Sequence, residues 1–468
     1  MIKKNQVYTV SILDLNNLGF GVCKIDGMSV FVSDTVTGDE AEIKIIKTAK
    51  TYAVGTRVRL ITPSPLRCAA EECCPSAKRC GGCVYQSVTY AHELALKRNY
   101  VAFAMKKAGA DGIAVSDVLS TGKKDGYRNK AQYPVGCGKD GRLFCGFYAA
   151  KTHDIIPAAV CALEPPVFSD ICRFVCAFCD SHKITAYDEV TGRGLLRHIY
   201  LRTAQATGEI LLCLVLNGAS LPCEKEFCRA VTERFPDVVS IQISENTKNT
   251  NVVMGESCTV LWGKPYIEDI LCGLHFRISP LSFYQVNHDG AELLYKTARE
   301  LLDLRPGETL LDLYCGIGTI GLSVAAGFGD ARNAQNRLIG IEIVPEAVEN
   351  ARENARLNGI ANASFFCGDA SDAQEILAHE SIRSDGNIRA DAVIVDPPRK
   401  GLTPEVISYI SALSPSRVVY ISCDADTLAR DLVRFRAAGY DTDRAQPVDM
   451  FSRTGHVETV VLMSRIYM

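Results

Sequence analysis

Hydrophobic and polar positions alternate through the first sixty or so residues of the chain. Runs such as Val7–Ile12, Ser29–Val32 and Ala41–Ile46 carry the period of a half-buried strand, and Asn16-Asn17, Asp26-Gly27 and Thr37–Glu40 separate them as turns. Roughly five strands in so short a stretch predict a small β-barrel of the oligonucleotide-binding kind over residues 1–62. Periodicity then fades through a cysteine-rich segment, Pro63 to about Gln86, before a helical pattern over 90–109. From about 125 to 275, strand-like runs (His198–Thr203, Glu209–Leu216, Val239–Ile243) mix with a helix near 167–182 and predict an α/β central domain. Beyond 276 strands and helices alternate to the C-terminus, the pattern of a doubly wound, Rossmann-like sheet. The expected fold is therefore multidomain, divided 1–62, 63–275 and 276–468, with the helix near 90–118 packing on the third part.

Length agrees with that division, since 468 residues exceed what one core organises. The 47% hydrophobic and 22% charged content is that of an ordinary globular protein, so disorder is not expected. No apolar run approaches the roughly eighteen residues of a membrane span, and the N-terminus shows no apolar signal core. A cytoplasmic location without a membrane partner is expected. Oligomeric state is left open, with a monomer as the default.

Net charge is −3, which taken alone argues against a nucleic-acid partner. Its distribution argues the other way. Residues 1–130 hold 19 Lys and Arg against 12 Asp and Glu, a balance of +7, and the remainder carries −10. Lys44, Lys47, Lys50, Arg57 and Arg59 decorate the second half of the barrel, as for a polyanion such as RNA.

Twenty cysteines in a cytoplasmic chain point to metal binding or catalysis rather than disulfides. Cys23, Cys213, Cys258, Cys272 and Cys367 lie in apolar segments and are expected to be packed small hydrophobes. Cys74-x5-Cys80-Gly-Gly-Cys83 can wrap one metal centre, either zinc or an iron–sulfur cluster. A fourth ligand must come from elsewhere, or from Cys68 or Cys73. Cys172-x3-Cys176-x2-Cys179 has radical-enzyme spacing, yet Ile171, Phe174, Val175 and Phe178 interleave at helical spacing, so these thiols are expected along one helix.

The run Glu308–Gly321 reads as an apolar strand ending in Asp312 and a glycine-rich turn that brings backbone close to a nucleotide-like ligand. Glu342 ends the next strand, where a carboxylate can hold ribose hydroxyls, and Asp369 follows the third, where it can accept from an adenine amino group. The turn lacks the dinucleotide spacing, and Asp396-Pro-Pro-Arg399 follows a later strand. Together these favour S-adenosylmethionine.

Cys423 ends the β-branched run Val418–Ser422, and His456-Val-Glu458 follows later. Carbon-5 of a pyrimidine is a poor nucleophile until a thiolate adds to carbon-6, and a base must then remove the carbon-5 proton. Cys423 suits the nucleophile, Glu458 the base, and Asp396 an orienting group beside the cofactor.

The pattern Leu18-Gly-Phe-Gly-Val-Cys-Lys24 with the Asp26-Gly27 turn resembles the TRAM domain, an RNA-binding barrel. The whole chain resembles the bacterial RNA 5-methyluridine methyltransferases, specifically the 23S rRNA branch. The motifs that carry this are Cys74-x5-Cys-Gly-Gly-Cys83, Phe283-Tyr-Gln-Val-Asn287, Asp312–Gly318, Asp396-Pro-Pro-Arg-Lys-Gly401, Ser422-Cys-Asp424 with Thr427–Asp431, and His456-Val-Glu458. The resemblance implies a SAM-dependent uracil-C5 methyltransferase with a 4Fe-4S cluster on Cys74, Cys80, Cys83 and Cys161. It also implies that Gln285, Tyr314, Thr319, Glu342, Asp369 and Asp396 contact S-adenosylmethionine. Some relatives have Asn where Thr319 stands, and the usual Ser-Cys-Asn-Pro is Ser-Cys-Asp-Ala here, which removes a rigid proline after the nucleophile. The rival functions are a tRNA T-loop uridine methyltransferase, whose members commonly lack both barrel and cluster, and a non-catalytic RNA-binding assembly factor.

Overall fold

The computed structural model describes residues 2–69, 73–74, 76–150, 152–157, 160–326, 335–383 and 389–466, with backbone alone at 78 and 379–383. The chain forms two compact units. One comprises Met1–Ser120, Cys423–Val433 and Asp443–Thr459, and the other Thr121–Ser422, Arg434–Thr442 and Val460–Met468. These units cut across the linear boundaries expected at 62 and 275, because two C-terminal segments fold with the N-terminal part.

In the first unit, β1 (Val7–Ser11), β2 (Asp14–Leu15), β3 (Gly21–Ile25), β4 (Met28–Ser33), β5 (Glu40–Thr48) and β6 (Tyr52–Thr62) form one sheet in the order β1-β5-β6-β4-β3-β2. Alternate residues point inward, so Cys23, Val30, Val32, Ala41, Ile43, Ile45 and Ala53 make its core. There are six strands instead of roughly five, since β2 is too short to show a period. A single-turn helix α1 (Ala77–Cys80) and the long α2 (Tyr90–Lys107) follow, then β7 (Ala114–Val115).

Helix α2 buries charge. The Lys97 ammonium donates to Glu93 Oε1 (2.8 Å), Asp449 Oδ1 (2.7 Å) and the Phe451 carbonyl (3.1 Å). Tyr90 Oη and Ser452 Oγ donate to the other Asp449 oxygen, and Arg453 N–H donates to Glu93 Oε1 (2.7 Å). A buried ammonium is stable only when surrounded by such acceptors.

The second unit opens with β8 (Lys130–Cys137), β9 (Leu143–Tyr148), β10 (Ile155–Pro157), α3 (Pro166–Ser181), β11 (Leu196–Thr203), β12 (Ile210–Leu216), α4 (Glu224–Arg234), β13 (Val238–Glu245) and β14 (Cys258–Gly263). Its sheet runs β10-β9-β8-β11-β12-β13-β14. Helix α3 lays Phe168, Ile171, Cys172, Val175, Cys176 and Cys179 into the core with α4, so the three closely spaced thiols are packing residues on one helix. Of the other cysteines expected to be packed, Cys23, Cys213 and Cys272 are buried. Cys258 is half-buried on the edge strand β14, and Cys367 is exposed at the end of the edge strand β19.

A hairpin, β15 (Ile267–Leu271) and β16 (Leu274–Ile278), leads to α5 (His288–Leu302), β17 (Thr309–Leu313), α6 (Thr319–Ala326), β18 (Arg337–Glu342), α7 (Pro345–Leu357), β19 (Ala363–Cys367), α8 (Ala373–Arg383), β20 (Ala392–Val395), α9 (Pro404–Leu413) and β21 (Arg417–Ser422). Then come α10 (Ala425–Ala437), β22 (Tyr440–Asp441), β23 (Arg444–Val448) and β24 (Glu458–Arg465). The strands lie in the order β19-β18-β17-β20-β21-β24, the first five parallel, so their C-terminal ends share one sheet edge where ligands of such sheets bind. Within the first unit β23 pairs with β7.

Candidate active site

Strand β17 buries Leu310–Leu313 and stops where Tyr314 turns into the left-handed region (φ 73°), a conformation costing a non-glycine residue about 1 kcal/mol. Gly316 (φ 54°) and Gly318 (φ 84°) complete the turn, and α6 starts at Thr319. The Tyr314 and Cys315 amides both donate to the Ile341 carbonyl, at 3.0 and 3.1 Å. Glu342 at the end of β18 accepts from Gly316 N–H with one oxygen (3.0 Å) and from Val344 N–H with the other (2.9 Å). Each oxygen keeps a lone pair for a ligand hydroxyl.

Asp312 is buried, and its carboxyl is pushed well above the usual range, first by burial and then by the nearby charges of Asp396 and Glu342. A Cβ on Gly321 would come within 2.5 Å of Asp312 Oδ2, so the third glycine of this turn is required by the aspartate behind it. Burial raises half-buried Asp396 to about 7. Asp369 is exposed and lies below its ordinary range, because Ser371 N–H (2.8 Å) and Oγ (2.7 Å) both donate to Oδ1. The Thr319 hydroxyl lies 3.1 Å from Tyr295 Oη inside the unit, where that partner already engages it.

Gln285 sits on a segment that sequence patterning does not anchor. Asn129 Nδ2 donates to the Gln285 carbonyl (3.0 Å), Asn129 N–H to the Val286 carbonyl (2.8 Å), and fully buried Arg202 to the Ser282 carbonyl (3.1 Å). Asn287 then caps α5 by accepting from Gly290 N–H. Phe283, between these fixed points, is 66% exposed. Close by in sequence to Asn129, Lys130 is lowered to about 8 by burial and by the Arg202 and Arg128 charges, marking a basic cluster. Asn129 and Arg202 escape sequence reasoning because their partners are more than seventy residues away.

In the first unit, Cys423 directly follows β21. Asp424 Oδ1 accepts from Thr427 N–H (2.9 Å), so the residue standing for the usual Asn caps the first turn of α10. Arg465 N–H donates to the Ser416 carbonyl (3.2 Å), so β24 runs antiparallel to β21 and Glu458 starts at the end where Cys423 lies. Glu458 is buried, and His456 is exposed. The loop before them is shaped by Arg453 (φ 70°), and Gly455 approaches the barrel so closely that a Cβ would meet the Asn17 carbonyl oxygen at 1.8 Å.

The thiols of Cys74, Cys80 and Cys83 share one neighbourhood. Burial pushes Cys83 up to about 11, and the Cys80 and Cys74 sulfurs add to the rise. Gly81 ends α1 in the left-handed region (φ 66°), turning the chain between Cys80 and Cys83. The Cys68 and Cys73 sulfurs lie 3.0 Å from one another, both beside the Gln86 carbonyl. Cys161 lies in the second unit, where its carbonyl accepts from Glu164 N–H. Among the described residues no helix is long and apolar enough to cross a membrane.

Comparison with known proteins decides the family. Residues 240–466 match the tRNA (Uracil-5-)-methyltransferase family and residues 3–58 the TRAM domain. An RNA methyltransferase of Bacillus cereus is 41% identical over 466 residues, covering 99% of this chain and 98% of its own, and one of Clostridium tetani is 40% identical over 463 residues, covering 99% and 97%. The chain belongs to the RNA uracil-5-methyltransferase family. It is a SAM-dependent RNA methyltransferase with an N-terminal TRAM domain. The tRNA (uracil-54, C5)-methyltransferase of Pyrococcus abyssi, solved with S-adenosyl-L-homocysteine, aligns at TM-score 0.76 and 26% identity over 97% of this chain and 100% of its own. That tRNA-modifying protein matches this chain over its whole length, so overall architecture does not by itself separate the rRNA and tRNA branches.

Proposed function

We propose that this methyltransferase modifies carbon-5 of a uridine in 23S rRNA through a covalent adduct on Cys423. The observation that carries the mechanism is the antiparallel course of β24 against β21, which starts Glu458 at the strand end that Cys423 follows. The Cys423 thiolate adds to carbon-6 and makes carbon-5 nucleophilic. S-adenosylmethionine supplies the methyl group as a sulfonium. Glu458 then takes the carbon-5 proton, and the electron pair of that C–H bond restores the double bond as the sulfur–carbon-6 bond breaks. Gln285, Tyr314, Thr319, Glu342, Asp369 and Asp396 are proposed contacts of the methyl donor; for Thr319, the Tyr295 contact weakens the case. The exposed Phe283 ring offers a stacking face for a base drawn out of its helix.

The three thiols of Cys74, Cys80 and Cys83 fit a soft metal centre, since their sulfurs lie in one another's field and one of them is strongly desolvated. A 4Fe-4S cluster would be held by these with Cys161, the last on the family pattern alone. Its part would be to fix the local fold for RNA binding, as the methyl transfer needs no electron. Replacing Cys80 with Ser should then impair folding or RNA binding; intact binding with lost chemistry would contradict that role.

Methylation of a tRNA T-loop is the second reading, favoured by the Pyrococcus abyssi match. Mapping 5-methyluridine in the rRNA and tRNA of a deletion strain tests both. Loss from 23S rRNA supports the first, and loss from tRNA alone overturns it in favour of the second.

A further inference from the structure

Outside the sites assigned above, three side chains of different chemistry converge where α3 ends and α4 begins. His182 is the residue after α3, Cys223 the residue before α4, and Glu226 lies in the first turn of α4. One ligand atom from each lies within 4.8 Å of the others, with imidazole Nε2 3.4 Å from Glu226 Oε1. We propose that His182, Cys223 and Glu226 hold a zinc-class divalent cation that clasps these two helices.

The histidine is set for this task. Its Nδ1 is 2.9 Å from the Phe178 carbonyl and 2.9 Å from Ser181 Oγ. A carbonyl can only accept, so the proton resides on Nδ1, the arrangement found when the other ring nitrogen ligates a metal. The Phe178 ring stacks on the imidazole with centroids 4.0 Å apart and planes 17° apart, fixing its direction.

Cys223 supplies the independent observation. It adopts the left-handed conformation (φ 59°, ψ 32°) at a helix N-cap and makes no side-chain capping bond. Asn, Asp, Ser or Gly would serve better at such a position, so this cysteine carries two local costs that helix formation alone does not explain. Metal ligation supplies a reason for a thiol there.

Nitrogen, sulfur and carboxylate oxygen together match zinc rather than magnesium or calcium, which take oxygen sets. Tetrahedral coordination at ordinary Zn–N and Zn–S lengths sets ligands about 3.5 Å apart, so a modest closing of the exposed Cys223 and Glu226 side chains completes the site. With three protein ligands and an open side, water would take the fourth position. Helices α3 and α4 already meet through Phe178 and Phe227, ring centroids 5.1 Å apart, and the cation would tie their polar ends above that contact.

The test uses the full-length protein, purified under reducing conditions and titrated with Zn2+ and, separately, Co2+. Cys223→Ser and His182→Asn should each lose one equivalent of bound zinc, whereas Cys137→Ser, at an exposed thiol outside both cysteine groups, should retain that equivalent. Cobalt should give a thiolate charge-transfer band that is unchanged in Cys137→Ser and loses the share of one thiolate in Cys223→Ser. Should a variant at 182 or 223 unfold, the exposed Glu226→Gln provides the same comparison through weakened zinc affinity. Unchanged zinc stoichiometry and affinity in all three variants, or a cobalt–thiolate band of undiminished intensity in Cys223→Ser, would overturn the proposal.

Discussion

Lys97 and Asp449, 352 positions apart in the chain, form an ion pair of 2.7 Å in which both side chains are essentially inaccessible to solvent. It fixes the loop 449–456 to α2, and that loop leads directly into Glu458. Lys97→Met would leave Asp449 and Glu93 buried without their cation, at a cost of about 3–5 kcal/mol. Urea denaturation should show this as a lowered midpoint, partly restored by adding Asp449→Asn. A shift below about 1 kcal/mol would mean that the pair contributes little.

Cys423→Ala should abolish methyl transfer and covalent capture of RNA containing 5-fluorouridine. Glu458→Gln should instead accumulate a protein–RNA adduct, visible as a slow-migrating band on a denaturing gel, because sulfur cannot leave until carbon-5 loses its proton. Wild-type turnover by the Glu458 variant would remove that residue from the mechanism.

Glu342→Ala removes the acceptor of the Gly316 and Val344 amides and the oxygens offered to the ligand. Hydrogen bonds to a charged group are worth about 1.5–3 kcal/mol, so calorimetric affinity for S-adenosyl-L-homocysteine should fall roughly 10- to 100-fold. Unaltered affinity would exclude Glu342 as a ligand contact.

His198 is buried, and loss of solvation with the adjacent Arg197 charge lowers it from 6.5 to about 4. Between those values the unfolded chain binds a proton that the folded chain refuses. Stability from this group is therefore complete above about pH 6.5 and declines as pH falls toward 4, by up to about 3 kcal/mol in all. The difference in urea midpoint between wild type and His198→Gln should change with pH across this window; a constant difference would refute the assignment.

Most of the elements, and the residues that stand at the strand ends, are readable from the linear chain. Val418–Ser422 and Leu310–Leu313 are apolar enough to be buried strands wherever they fold, and the glycines after Asp312 mark a tight turn, so Cys423 and the cofactor turn were legible locally. Period and turn chemistry act over a few residues, which is why they survive in a linear reading. Tertiary structure alone decided that 423–433 and 443–459 join the N-terminal unit, that Asn129 holds the Gln285 segment, and that His182 meets Cys223. Those outcomes depend on satisfying buried charges and backbone groups across long sequence separations. Lys97 reads as one more exposed helical lysine until Asp449 stands beside it.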